Sequence, residues 1–148
     1  MEELKYSYKY PRPAVTTDCV IFGTDGDDMK VLLIRRGREP YKDMWAFPGG
    51  FLNMDESADD GARRELYEET GLKDVPIHQF YTFTDPGRDP RGRVISIAYY
   101  AVVPLRAVRS VRGGDDAADA AWFSLDELPP LAFDHEEMLR KALIIHNS

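Results

Sequence analysis

The sequence predicts one mixed α/β domain. Three observations carry that prediction: strand-like runs rich in β-branched and aromatic residues lie on both sides of a well-capped helix, a second helix follows near the C-terminal end, and no linker-like tract divides them. The chain has 148 residues, enough for one domain with a real core. We therefore take 1–148 as a single unit, with residues 1–12 as a loosely packed N-terminal arm.

The elements follow in order. The run AVTTDCVIFG reads as a strand ending in the turn GTDGDD, and KVLLIRRG reads as a second strand. The short gap with two glycines predicts a hairpin between them. REPYKDMWAFPGG reads as a loop and then a short strand stopped by Pro48, Gly49 and Gly50. The strongest helix covers 58–70, with Ser57 as N-cap, Asp60 in a capping-box-like position and Gly71 as the stop. VPIHQFYTF and RVISIAYYAVVPL read as strands, the second apolar enough to lie deep in a sheet. AAWFSLDELPP reads as a short strand running into a turn. The final helix starts near Asp134, its expected N-cap, and offers Met138, Leu139, Ala142, Leu143 and Ile145 for packing.

Composition narrows the function. A net charge of −7 makes the chain a poor candidate for gripping a nucleic acid backbone, because that affinity comes mostly from Lys and Arg on phosphates. Small phosphorylated ligands stay open. The lone cysteine, Cys19, sits in an apolar run and is expected in the core; one thiol cannot form an internal disulfide, which fits a reducing compartment. The N-terminus has no apolar signal region and no run approaches membrane-spanning length, so the expected location is cytoplasmic, with no membrane partner.

The helix at 58–70 carries the chemistry. At about 100° per residue, Glu69 falls about 40° from Glu65 on one side and Glu68 about 60° on the other. Gly61, Ala58 and Ala62 share or border that arc, so the acids lie where something packs closely, whereas a solvated face would lie opposite the apolar stripe. Like charges at these spacings also repel. Two readings compete, a salt-bridged face shared with Arg63 and Arg64, and a divalent cation site; the geometry favours the cation. All-oxygen ligands select Mg²⁺ or Mn²⁺ over zinc. The preceding FPGGF lets the backbone approach a ligand, and a glycine carbonyl can join a hard-cation site.

These residues resemble the Nudix box, G-x5-E-x7-R-E-U-x-E-E-x-G-U with U bulky and apolar. Gly50, Glu56, Arg64-Glu65-Leu66, Glu68-Glu69 and Gly71-Leu72 fill each fixed position. The resemblance implies an α/β/α sandwich with a mixed central sheet, and hydrolysis of a nucleoside diphosphate linked to another group. It also implies roles. Glu65, Glu68 and Glu69, with the Gly50 carbonyl, would hold Mg²⁺ or Mn²⁺. Arg64 would orient a box glutamate, and Glu56 would cap the loop or touch an outer metal through water. The general base is a box glutamate or an acid on a later loop, with Asp116 preferred over Asp115 and Asp119.

A second stretch, YTFTDPGRDPRGRVISIAYYAVVP, resembles a branch of ADP-ribose pyrophosphatases and related Nudix regulators of nicotinamide metabolism. It offers Arg88, Arg91 and Arg93 to a diphosphate or ribose, Asp85 or Asp89 to ribose hydroxyls, and Phe83 or Tyr81 to adenine. Arg35 and Arg36 are further candidates. The expected reaction is ADP-ribose to AMP and ribose 5-phosphate. The alternatives are another nucleotide, such as a damaged nucleoside triphosphate, or a non-catalytic module binding an ADP-ribose-type effector. The chain stops at Ser148, which predicts no DNA-reading part. Members of that branch are often homodimers; no stretch of this sequence marks an interface.

Overall fold

The computed structural model describes residues 6–108 and 117–148. Its centre is β1 (Ala14–Asp25), which pairs in parallel with β6 (Val94–Pro104) from Ala14↔Val94 to Thr24↔Pro104. On its other edge β1 pairs antiparallel with two strands in succession. These are β4 (Gly49–Phe51) near its start and β2 (Asp28–Arg36) near its end. β3 (Trp45–Ala46) and β7 (Ala117–Ser124) extend the sheet from β2, and β5 (His78–Phe83) extends it from β6.

Two helices cover the sheet, and strand alternation decides which residues meet which helix. Cys19 and Ile21 of β1 pack with Ala62 and Leu66 of α1 (Ala58–Thr70). Val20 and Phe22 point the other way, onto Met138, Leu139 and Ala142 of α3 (His135–His146). The result is the expected α/β/α sandwich with a mixed sheet. A one-turn helix, α2 (Leu105–Val108), follows β6. Parity also aims two polar residues: Thr17 shares its side with Cys19, and Asp18 shares its side with Val20.

The predicted helix bounds of α1 hold. Ser57 Oγ accepts the Asp60 N–H at 3.1 Å, and Gly71 takes a left-handed φ of 82°. The hairpin of β1 and β2 and the buried Cys19 also hold. Three expectations need correction. The short strand does end before Pro48, as β3, but Gly49 and Gly50 then form a further strand, β4, because β1 offers them a free edge. Asp134 sits at the N-cap of α3 but makes no capping bond, since Arg88 takes its carboxylate. Ile145 is exposed, on the outer side of α3.

Candidate active site

A cleft of ≈ 310 Å³ opens where β4 leaves β1, between the end of α1 and the start of α3. Gly49, Gly50, Glu65 and Glu69 line one wall. Asp18, Arg36, Arg88, Asp89, Arg91, Phe133 and His135 line the other.

The first wall depends on two glycines. A Cβ on Gly50 would lie 2.8 Å from the Glu65 carboxyl carbon, and one on Gly49 would lie 2.0 Å from the Thr17 carbonyl oxygen. Only bare backbone lets β4 lie this close to both β1 and α1. Gly49 N–H then donates to Glu69 Oε1 at 2.7 Å, fixing a carboxylate that is only 6 % exposed. Arg64 gathers the other box acids. Its Nη2 donates to Glu56 Oε1 at 2.7 Å, and its Nη1 donates to Glu65 Oε1 at 2.8 Å and to Glu68 Oε1 at 3.2 Å. Arg64 hydrogen bonds, helped by the Asn53 N–H, hold the Glu56 carboxyl below its ordinary range.

Does this wall suit a divalent cation? Among the described residues no three acidic or imidazole side chains converge in a metal-holding cluster. Arg64 stands among the glutamates instead. The donor chemistry nevertheless fits: carboxylate oxygens in charge excess over the arginine that bonds them, with no soft ligand, suit a hard cation.

The second wall is built from distant residues. Arg88 donates to both carboxylate oxygens of Asp134, at 2.9 and 2.7 Å, and its side chain is 3 % exposed. Burial works against its charge, and the Asp134 pairing more than offsets it. Arg91 holds Asp89 in the same two-bond manner, with Nη2 to Oδ2 at 2.7 Å. Burial opposes the Asp89 charge, and the Arg91 bonds still bring its carboxyl below the ordinary range. The Arg91 guanidinium also lies over the rings of Phe51 and Phe133, at 4.6 and 5.3 Å from their centroids.

At the floor, Asp18 Oδ2 accepts the Ser96 hydroxyl. Burial pushes the Asp18 carboxyl up to about 7, against the opposing pull of Ser96 and Arg88. His135 is held by the Phe47 N–H, which donates to its Nδ1 at 3.1 Å, and its ring stacks on Phe47. That bond assigns the ring proton to Nε2, which faces Asp18 Oδ1 at 3.6 Å. Burial lowers the His135 value to about 3, so the ring is neutral at neutral pH.

The structure thus brings Gly50, Glu65, Glu69, Arg88 and Arg91 to one cleft, with Arg64, Glu56 and Glu68 just behind its glutamates. Others stand elsewhere. Phe83 is 5 % exposed and packs in the core, so no base can stack on it. Tyr81 is exposed but carries the Lys141 ammonium over its ring. Arg93 turns to the Thr84 carbonyl, and Arg35 lies 4.0 Å from Asp43 on the surface, whereas its neighbour Arg36 lines the cleft. Asp119 sits on β7 opposite Arg35. Asp115 and Asp116 lie outside the described residues. Sequence reasoning missed Asp18, His135, Phe51 and Phe133. One signal existed for Asp18, an acid in the middle of an otherwise buried strand.

Comparison with known proteins agrees with this geometry. The NUDIX domain model matches residues 12–142. An ADP-ribose pyrophosphatase from Methanocaldococcus jannaschii is 40% identical over 93% of this chain and 78% of its own length. An ADPR-responsive transcriptional repressor from Acinetobacter baylyi is 33% identical over 90% of this chain; the match spans 54% of the repressor. Among solved structures, the NUDIX domain of Shewanella oneidensis NrtR in complex with ADP-ribose superposes with a TM-score of 0.84 at 30% identity. It covers 93% of this chain and 92% of that one. With the box complete and the fold shared over nearly its whole length, the chain belongs to the Nudix family and is a Nudix hydrolase.

Proposed function

We propose that the protein hydrolyses ADP-ribose to AMP and ribose 5-phosphate with Mg²⁺ or Mn²⁺. The observation that carries this reading is the pairing of opposite walls in one cleft, carboxylates in excess on one side and Arg36 and Arg91 on the other. A diphosphate needs both: arginines to orient it and a cation between it and the acids. The likeness to an ADP-ribose pyrophosphatase over most of both chains supports the choice of substrate.

Glu65, Glu68 and Glu69, with the Gly50 carbonyl, would hold the cation, which supplies neutralisation of the phosphate oxygens and activation of a water. The Gly49 N–H keeps Glu69 in place, and Arg64 bonds both Glu65, in the cleft, and Glu68 behind it. Arg91 is the substrate-facing arginine of the second wall. Arg88, spent on Asp134, positions the loop that carries it. Asp116, in the segment before β7, is our candidate for an additional ligand or base. Water adds across one P–O bond of the diphosphate, so both products leave as monophosphates. Among the described residues no helix is long and apolar enough to cross a membrane; a cytoplasmic location is part of the proposal, resting on the single buried thiol.

The repressor likeness favours a second reading, an effector-binding module without turnover. One assay separates them. The protein is incubated with Mg²⁺ or Mn²⁺ and a panel of nucleoside diphosphate derivatives, and AMP is measured. We expect AMP from ADP-ribose at the highest kcat/KM of the panel. Tight ADP-ribose binding with no turnover of any member would overturn the enzyme reading.

A further inference from the structure

We propose that Asp18 and His135 form a receptor for one sugar hydroxyl of the ligand, the carboxylate accepting from it and the imidazole donating to it. The inference rests on the reading that the ligand is a nucleoside diphosphate sugar.

Four observations lead there. Asp18 Oδ2 is already engaged by Ser96, which leaves Oδ1 for the cleft. His135 Nδ1 is engaged by Phe47, so the ring presents Nε2–H and has no lone pair to offer there. The two atoms stand 3.6 Å apart, beyond a direct hydrogen bond, and both residues line the cleft. One oxygen about 2.8 Å from each closes that gap. Both atoms therefore present an unshared acceptor and donor to the cleft, side by side.

The chemistry selects the occupant. The group must donate to a carboxylate and accept from an N–H through one compact atom, which is the property of a hydroxyl. A phosphate oxygen meets repulsion from Asp18. A metal ion finds the imidazole proton in its way. The position agrees, because Gly49 separates this pair from the glutamate wall. A Cβ on Gly49 would meet Asp18 Oδ1 at 2.6 Å, while its N–H bonds Glu69 on the other side.

The test is a binding series by calorimetry, without added cation, using ADP-ribose and analogues that each lack one ribose hydroxyl. In the unmodified protein one analogue should bind at least about 100-fold more weakly, since a site built to bond a hydroxyl rejects its absence strongly. In Asp18→Leu, which is of similar size and removes the acceptor, that difference should shrink below about threefold. Equal binding of all analogues, or an unchanged penalty in Asp18→Leu, overturns the proposal and leaves the enzyme reading standing. Binding without turnover overturns the enzyme reading alone. If ADP-ribose binds neither without cation nor with Ca²⁺ added, both fall. Should Asp18→Leu not fold, the structure of the unmodified protein with ADP-ribose decides. A sugar oxygen within hydrogen-bond reach of both Asp18 Oδ1 and His135 Nε2 supports the receptor, and a water there instead overturns it.

Discussion

The two walls of the cleft each use arginine and carboxylate, to opposite ends. On the α1 wall Arg64 bonds three carboxylates, Glu56, Glu65 and Glu68, and its side chain is 28 % exposed. On the α3 wall Arg88 bonds Asp134, and Arg91 bonds Asp89, one acid to each base, with Arg88 sealed from water. The first network holds negative charge in excess and near solvent, as a cation site requires. Within the second, the Arg88–Asp134 pair is balanced and sealed, as a structural joint requires, whereas Arg91, 36 % exposed, keeps a face open to the cleft. Counting charges within a network, and asking whether water reaches it, separates chemistry from scaffolding where residue type alone does not.

The sharpest way to break this comparison is to remove one partner from each network. Asp134→Ala strands the buried Arg88 guanidinium, and we expect a loss of about 3–5 kcal/mol in urea unfolding. Arg64→Ala frees acids that are 13 to 36 % exposed and should cost less, about 1–2 kcal/mol. Equal costs would mean that the two networks do the same work.

The next effect is on activity. Glu69→Gln keeps a carbonyl oxygen for the Gly49 N–H, so the melting temperature should hold. The charge is lost, and kcat/KM should fall at least about 100-fold. Wild-type rates at saturating Mg²⁺ would remove Glu69 from the cation site.

The walls also differ in how visible they are in the sequence. The acids of the α1 wall were legible because Arg64, Glu65, Glu68 and Glu69 lie within two helical turns, and helical spacing converts sequence position into direction. The sandwich was legible for a related reason, since β1 and β6 carry long apolar runs that only a doubly covered sheet can bury. The α3 wall was not legible. Arg88 and Asp134 are 46 residues apart, and Phe47 and His135 are 88 apart, so only the folded chain brings them together. Arg88, read as a ligand contact, lines the cleft but gives two hydrogen bonds to Asp134, a partner that no local pattern announces. Phe83 failed because burial on β5 was invisible in a run where nearly every residue could face either way; the structure turns it into the core.

The smallest effect tests the floor, where an acid and a base are both shifted by the same loss of water. Asp18 rises to about 7 from its unfolded value of 3.8, so from pH 7 down to about pH 4 the folded state binds the proton more tightly and gains stability on acidification. His135 falls to about 3 from 6.5, so its contribution is present above pH 6.5 and is lost as pH drops. Between about pH 4 and 6.5 the two slopes oppose each other, and the wild-type protein should show little net dependence from this pair. Asp18→Asn removes one slope and leaves the other. Relative to wild type, the variant should lose about 1 kcal/mol for each pH unit of acidification across that window. Urea unfolding at half-unit steps measures the difference, in which the groups common to both proteins cancel. A difference independent of pH would mean that Asp18 stays ionised through the window, and that water reaches the floor of the cleft more freely than its burial implies.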